Sequence, residues 1–278
     1  MSRTAFIFGY GFIGQAFAAA ARQAGCVLRA TARDADKRAR LAAQDVEAVD
    51  PGDVAALRRA CEADLILITP APTDDGCPAF AAIGDWANGP WIGYLSTTGV
   101  YGDLNGGWAF EETPLRPTAP EGARRVRAEA QWLSRGAHVF RLPGLYGPGR
   151  NVIERLRDAS ARRIHKPGHV FSRLHHDDCA AALIASTARP RPGGIYNLCD
   201  DEPAAADAVL DYAAALTGLP SPPVIPWDDP ALSPGARRFY RDNRRVANAR
   251  AKAELGWRPA YPTYREGLRA IFENLTPR

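Results

Sequence analysis

Thr4-Ala5-Phe6-Ile7-Phe8-Gly9-Tyr10-Gly11-Phe12-Ile13-Gly14 is the stretch from which the rest of the chain can be read. Apolar residues on successive positions, Ala5 to Phe8, read as a strand covered on both faces. The spaced apolar residues of Phe12–Gln23 read as a helix. Glycines at G-x-G-x-x-G spacing between a strand and a helix form the pattern that cradles a pyrophosphate. Gly9 permits the tight turn, Gly11 lets backbone approach the phosphates, and Gly14 lets the helix pack closely on the strand. Phe12 and Ile13 start the helix, whose free N–H groups suit an anion. Gly9, Gly11, Phe12, Ile13 and Gly14 are therefore the expected dinucleotide contacts.

Outward from this motif, apolar runs alternate with amphipathic stretches, the signature of βαβ units and a parallel sheet. Strands are expected at Val27–Thr31, Val46–Val49, Asp64–Thr69, Trp91–Ser96 and Val139–Leu142. Helices are expected over 34–43, 53–61, 77–86 and 121–134. Beyond Leu142 the alternation breaks at Gly144, Gly147, Pro148 and Gly149. A helix near 152–161, an extended piece at 170–174, a helix over 178–187 and a strand at 195–198 follow. The proline-rich stretch 220–234 reads as a stiff surface excursion, and helices over 246–255 and 264–275 close the chain. The expected class is α/β, a Rossmann doubly wound parallel sheet with a small C-terminal substrate lobe. Residues 1–145, with 173–198 returning, form the dinucleotide domain; 146–172 and 199–278 form the lobe.

An acidic residue at the end of the second strand, about 20 positions beyond the glycines, would bind the adenosine ribose and favour NAD. Here the strand ends Ala30-Thr31-Ala32-Arg33. A guanidinium suits the 2′-phosphate of NADP, so NADP is the expected cofactor, with Arg33 its reader and Lys37 and Arg38 as neighbours. Asp34 follows at once and would make the site an NAD site if the strand ended one residue later.

Further along, Ser96-Thr97-Thr98-Gly99-Val100-Tyr101-Gly102 resembles the extended short-chain dehydrogenase/reductase superfamily, which includes nucleotide-sugar epimerases and dehydratases. The resemblance continues through Arg141-Leu142-Pro143-Gly144-Leu145-Tyr146-Gly147-Pro148-Gly149, Leu174-His175-His176-Asp177-Asp178, Ile195-Tyr196-Asn197 and Leu255-Gly256-Trp257. It implies an NAD(P)-dependent oxidoreductase or epimerase-like enzyme acting by hydride transfer on a small carbonyl or hydroxyl compound. It places Thr97, with Thr98 beside it, at the hydroxyl that polarises substrate oxygen. It places Pro143 and Leu145 near the nicotinamide, Ala71 and Pro72 where backbone passes the adenosine ribose, and Asp50 at the adenine.

The family's Y-x-x-x-K pair is missing. Alignment on Ala128-Glu129 puts Glu121 at the tyrosine and Arg125 at the lysine, and no tyrosine lies between Tyr101 and Tyr146. Arg125 can bind the ribose but cannot lose a proton. Glu121 can serve as an acid or base only if burial raises its pKa, and Tyr101 is a third candidate for the reacting oxygen. The chain thus resembles the atypical members that keep the fold and the cradle. Its alternative function is a catalytically silent module that senses NADP(H).

Composition supports a globular chain: 278 residues, 46% hydrophobic, 24% charged, net charge +4. Arg237, Arg238, Arg241, Arg244 and Arg245 read as a solvated face or a patch for a phosphorylated or carboxylated ligand. No nucleic-acid motif accompanies them. Five scattered cysteines without a C-x-x-C pair speak against a disulfide framework and a zinc site. His175 and His176, diverging on a strand, are not expected to share a metal, and His138, His165 and His169 read as packing or surface residues. No apolar run reaches the ~18 residues of a membrane helix, so no membrane partner and a cytoplasmic location are expected. The helix 121–134 is where relatives of the resembled superfamily often dimerise, but its arginines speak against this, so the oligomeric state stays open between monomer and homodimer. Arg150, Asn151, Tyr240 and Arg245 are expected to line the substrate cleft.

Overall fold

Ala5 to Phe8 are all buried, as a strand between two layers of helices must be. In the computed structural model, which describes residues 2–275, this strand is β1 (Thr4–Phe8) and leads into α1 (Phe12–Gln23). There follow β2 (Val27–Thr31), α2 (Ala35–Ala42), β3 (Val46–Val49), α3 (Val54–Ala60) and β4 (Leu65–Ile68). The chain continues through α4 (Pro78–Ile83), β5 (Trp91–Thr97), a 3-10 turn (Thr98–Tyr101), β6 (Trp108–Ala109), α5 (Pro120–Leu133) and β7 (His138–Leu142). The next elements are β8 (Gly144–Tyr146), α6 (Val152–Arg157), β9 (Arg163–His165), β10 (Arg173–His175), α7 (His176–Ala188) and β11 (Ile195–Asn197). The last are α8 (Ala206–Thr217), β12 (Val224–Pro226), α9 (Pro234–Phe239), β13 (Arg245–Val246), α10 (Ala249–Leu255) and α11 (Tyr264–Leu275).

Seven parallel strands form the main sheet in the order β11-β7-β5-β4-β1-β2-β3. The sequence order reverses between β4 and β1, and ligands of such sheets bind at the carboxyl ends of the strands flanking that reversal. One face of the sheet is covered by α1 and α7, which bring Phe17, Ala21, Cys179 and Leu183 to Leu28, Leu65 and Phe140. The other carries α3, α4 and α5, whose Leu57, Ile83 and Trp132 meet Phe6, Ile66 and Tyr94.

A separate apolar cluster gathers Ile153 of α6, Val209, Leu210 and Ala213 of α8, and Tyr264, Leu268 and Ile271 of α11 around Tyr146. This is the core of the lobe. The stretch 199–275 feeds both cores, because Ala251, Leu255 and Trp257 pack into the α1–α7 cluster.

Several elements differ from the sequence reading for identifiable reasons. α6 stops at Arg157 because Ala159 takes a left-handed φ of 58°. α10 starts only at Ala249, since Arg245 and Val246 pair with Trp108 and Ala109 as a two-residue strand. The proline-rich stretch contains β12, which pairs with β9. α8 buries Val209, Leu210, Ala213 and Ala214, a helical spacing that the sequence reading did not pick out. Among the described residues no helix is long and apolar enough to cross a membrane.

Candidate cofactor cradle and substrate cavity

The glycine turn after β1 is clamped from both sides. Thr31 Oγ1 at the end of β2 accepts the Gly9 N–H at 2.8 Å, and Thr69 Oγ1 donates to the Gly9 carbonyl at 2.7 Å. Gly9 has φ +96°, a conformation in which a side chain is strained. A Cβ on Gly14 would lie 2.7 Å from the Gly9 carbonyl oxygen, so this glycine sets the approach of α1 to the turn. Gly11 is different: a Cβ there would meet nothing within 4 Å. It is the N-cap of α1, with no side-chain cap and no acidic residue in the first turn. The N–H groups of the first turn, Phe12 and Ile13 included, thus border open space with no side chain or carboxylate competing for them. The cradle fits a pyrophosphate.

Around the ends of β2 and β3 the charges are mostly basic. Asp34 is the N-cap of α2, its carboxylate accepting the Lys37 N–H at 3.1 Å, which commits it to the helix end. Lys37 Nζ reaches across the glycine turn to the Tyr10 carbonyl at 2.8 Å. Arg38 pairs with Asp50 at 3.0 Å, and Asp50 also accepts the Gly52 N–H at 2.8 Å, so the expected adenine contact carries an ion pair of its own. Arg33 is exposed, and its side chain makes no hydrogen bond or ion pair among the described residues. Ala71 is exposed and Pro72 buried in the loop after β4.

Thr97 ends β5, half-buried, and Thr98 is buried in the turn that follows. Thr97 Oγ1 accepts the Gly99 N–H at 3.1 Å, which fixes the oxygen and leaves its own O–H to donate. Its Cα partner across the sheet is Leu142, directly before Pro143. Arg125 Nη1 donates to the carbonyls of Leu95 (2.6 Å) and Pro70 (3.3 Å) and to the Tyr94 hydroxyl (3.0 Å). It therefore ties α5 to the ends of β4 and β5.

Two catalytic expectations need correction. Tyr101 is 0% exposed, and its hydroxyl donates to Asn197 Oδ1 at 2.7 Å while accepting from Arg141 Nη1 at 2.9 Å. It is a core residue and cannot reach substrate. Glu121 is on the exterior of α5, its side chain 57% exposed and 3.4 Å from Arg238. The burial that would turn it into a base at neutral pH is absent. Of the expected catalytic groups, Thr97 is the one whose hydroxyl is half-buried at the end of β5 and free to donate.

A cavity of about 720 Å³ opens beside β8 and is walled by α6, β10, α8, α9 and α11. Arg150, Asn151 and Tyr240 line it as expected. Arg245 does not: β13 holds it against the Gly106 carbonyl. Arg150 also places its guanidinium 5.4 Å from the Phe12 ring centroid, so it borders both cradle and cavity. Sequence reading missed Tyr146, Arg173 and Tyr264 in the lining; the one signal was a charged residue inside the extended piece 170–174.

His175 and His176 do not diverge, a second correction to the sequence reading of this region. His175 sits at the N-cap of α7 and His176 is its first residue, with ring centroids 4.7 Å apart. His175 Nδ1 accepts the Asp177 N–H at 3.3 Å, and burial pushes its pKa down to about 4. His176 stacks on Phe12 at 5.2 Å. These contacts join α7 to the cradle.

No family profile matches the sequence. A conserved protein of unknown function from Silicibacter pomeroyi has the same structure, with TM-score 0.89 and 44% identity over 98% of this chain and 99% of that one. The dTDP-glucose 4,6-dehydratase of Bacillus anthracis, solved with NAD, shares the fold at TM-score 0.77 and 18% identity, covering 98% and 96% of the two chains. A 3-diazoavenalumate denitrifying reductase of a Streptomyces species is 34% identical over 178 residues. The matched stretch is 57% of this chain and spans 57% of the length of that relative.

Proposed function

We propose that this chain, which belongs to one family with the Silicibacter pomeroyi protein and has the fold of the extended short-chain dehydrogenase/reductases, is an NADP-dependent oxidoreductase acting on a small molecule. The observation that carries the reading is the uncapped start of α1 over open space at Gly11, linked through Arg150 to a separate cavity. Bound in that cradle, a nicotinamide dinucleotide supplies or accepts a hydride.

The chain's own residues do the rest. First-turn N–H groups of α1 hold the pyrophosphate, with Arg150 at its side. Arg33 and Lys37 face the 2′-phosphate, and Asp34, spent on capping α2, leaves no carboxylate to select the plain ribose. Thr97 donates a hydrogen bond to the substrate oxygen from a position fixed by Gly99. The relative named as a reductase supports this class of chemistry over epimerisation.

Calorimetric titration with NADPH and NADH is the direct test. NADPH binds more tightly, and Arg33→Asp removes the preference. Binding of neither nucleotide refutes the proposal. Once a turnover is identified, Thr97→Val lowers its rate by about 10²-fold without unfolding the protein, the usual effect of losing one such donor.

The exposed Glu121 and the structurally engaged Arg125 favour a second reading, a silent NADP(H)-sensing module. It predicts NADPH binding with no oxidation of NADPH by any carbonyl compound, and any protein-dependent turnover eliminates it.

A further inference from the structure

We infer that the cavity beside β8 is the receptor for an aromatic carboxylate, with Arg173 as the anchor of its acid group. This inference rests on the oxidoreductase reading for its meaning, but binding of the acid requires no hydride transfer.

Arg173 is where the cavity departs from an ordinary apolar pocket. Its Nη1 donates to the carbonyls of Phe171 (2.8 Å) and Ala204 (2.9 Å), so the guanidinium is held in place. Nε and Nη2 make no hydrogen bond among the described residues, and the side chain lines the cavity. No carboxylate lies within ion-pair distance of it among those residues. The charge is half-buried, its nearest acidic neighbour is Asp200, and two of its donor nitrogens stay free beside the cavity.

The nearest acidic group does not fill that role. Asp200 donates its backbone N–H to the Arg173 carbonyl at 2.7 Å, yet both of its carboxylate oxygens are buried without a hydrogen-bond partner. Burial pushes its pKa up to about 8 against the opposing pull of Arg173, which favours the protonated form. Tyr146 also lines the cavity, but its hydroxyl is buried against Gly267 of α11 and offers the ligand no donor.

Part of the remaining wall is aromatic, beside aliphatic residues such as Val209, Leu210 and Leu268. Phe171 and Tyr240 meet edge to face at 5.2 Å, and Phe171 lies 6.0 Å beneath the Arg173 guanidinium. Tyr264 and Phe239 complete the enclosure. Phe239, at 76% exposed, is more open to solvent than any other large apolar side chain described, and it stands at the rim. One guanidinium held by backbone carbonyls beside aliphatic and aromatic walls matches a planar apolar body with a single negative charge. A nucleoside diphosphate needs several converging donors, and the other arginines of the lining, Arg150, Arg155 and Arg162, are exposed and stand near Glu154 and Asp158.

The test is calorimetric titration of the NADPH-loaded protein with trans-cinnamate, its uncharged amide cinnamamide, and UDP-glucose. The acid should bind at least 10-fold more tightly than the amide, and UDP-glucose should not bind. In Arg173→Gln the acid and amide should bind alike, with NADPH affinity unchanged. If that variant does not fold, Phe239→Ala, altered only at the exposed rim, should weaken cinnamate several-fold. Equal binding of acid and amide to the wild type overturns the inference, as does no cinnamate binding, or UDP-glucose in its place. An unchanged cinnamate affinity in Phe239→Ala overturns the placement of the site. Failure of NADPH to bind, read in a separate titration, speaks against the oxidoreductase reading instead.

Discussion

Arg141 and Glu129 close a two-pronged ion pair inside the protein, Nε to Oε1 at 3.2 Å and Nη2 to Oε2 at 2.8 Å, with both side chains at most 3% exposed. Glu129 also accepts the Ser96 hydroxyl at 2.5 Å, and Arg141 donates to Tyr101 and to the Glu111 carbonyl. The network lies under the carboxyl ends of β5 and β7 and fixes the strand that carries Thr97. Removing one member of a buried pair strands the other charge, at a cost of about 3–5 kcal/mol. Glu129→Ala should lower stability by about that amount in denaturant titrations.

Tyr101→Phe removes one neutral hydroxyl from the same network. It leaves the Arg141–Glu129 pair intact, so the loss should be about 1 kcal/mol, somewhat more if Asn197 is left unsatisfied. Turnover, once assayed, should stay within a factor of two. A rate loss of two orders of magnitude would return Tyr101 to the list of catalytic groups.

Alanine at Gly11 and at Gly14 should fail in different ways. At Gly11 the added methyl enters open space, so the melting temperature should hold while NADPH binding weakens by at least 10-fold. At Gly14 it would approach the Gly9 carbonyl at 2.7 Å, so α1 must shift and the protein should lose stability. Equal NADPH affinity in Gly11→Ala and wild type would show that no pyrophosphate sits over that turn.

The cradle was legible in the sequence because its parts are adjacent: strand, glycines and helix lie within Thr4–Gln23 and their spacing is the signal. Most strands and helices of the sheet were legible for the same reason, each being an uninterrupted apolar or periodic run. Roles set by partners far along the chain were not. Tyr101 is a core residue because of Arg141 and Asn197, and Arg173 lines a cavity whose walls come from six other elements. Thr31 and Thr69, which clamp Gly9, are ordinary strand-end threonines until the parallel register sets their strands on either side of β1.

His138 has a defined tautomer. Nδ1–H donates to the Ile92 carbonyl at 3.1 Å, and Nε2 accepts the Arg191 N–H at 2.7 Å, so the ring is neutral. Its pKa is lowered, chiefly by burial. Below the ordinary histidine value of about 6.5 the unfolded chain takes up a proton that the folded chain refuses. Stability should therefore fall as pH drops below that value. His138→Gln should be less stable at pH 8 but show a shallower fall towards pH 5 in parallel melting curves.

Asp200 should give the opposite slope. Its carboxyl is pushed up to about 8, chiefly by burial, against about 3.9 in the unfolded chain. Between those values the folded state keeps a proton that the unfolded state has released, so stability falls as pH rises across the window and levels off above it. Asp200→Asn, which stays neutral throughout, should remove that part of the decline. Its melting temperature relative to wild type should rise steadily from pH 5 to pH 8. The same titration bears on Arg173: above pH 8 an ionised Asp200 competes for its charge, so cinnamate should bind more weakly to wild type at pH 9 than at pH 7 and equally at both in Asp200→Asn. A flat stability difference between wild type and Asp200→Asn across the window would mean that Asp200 is ionised in the fold and paired with Arg173 after all.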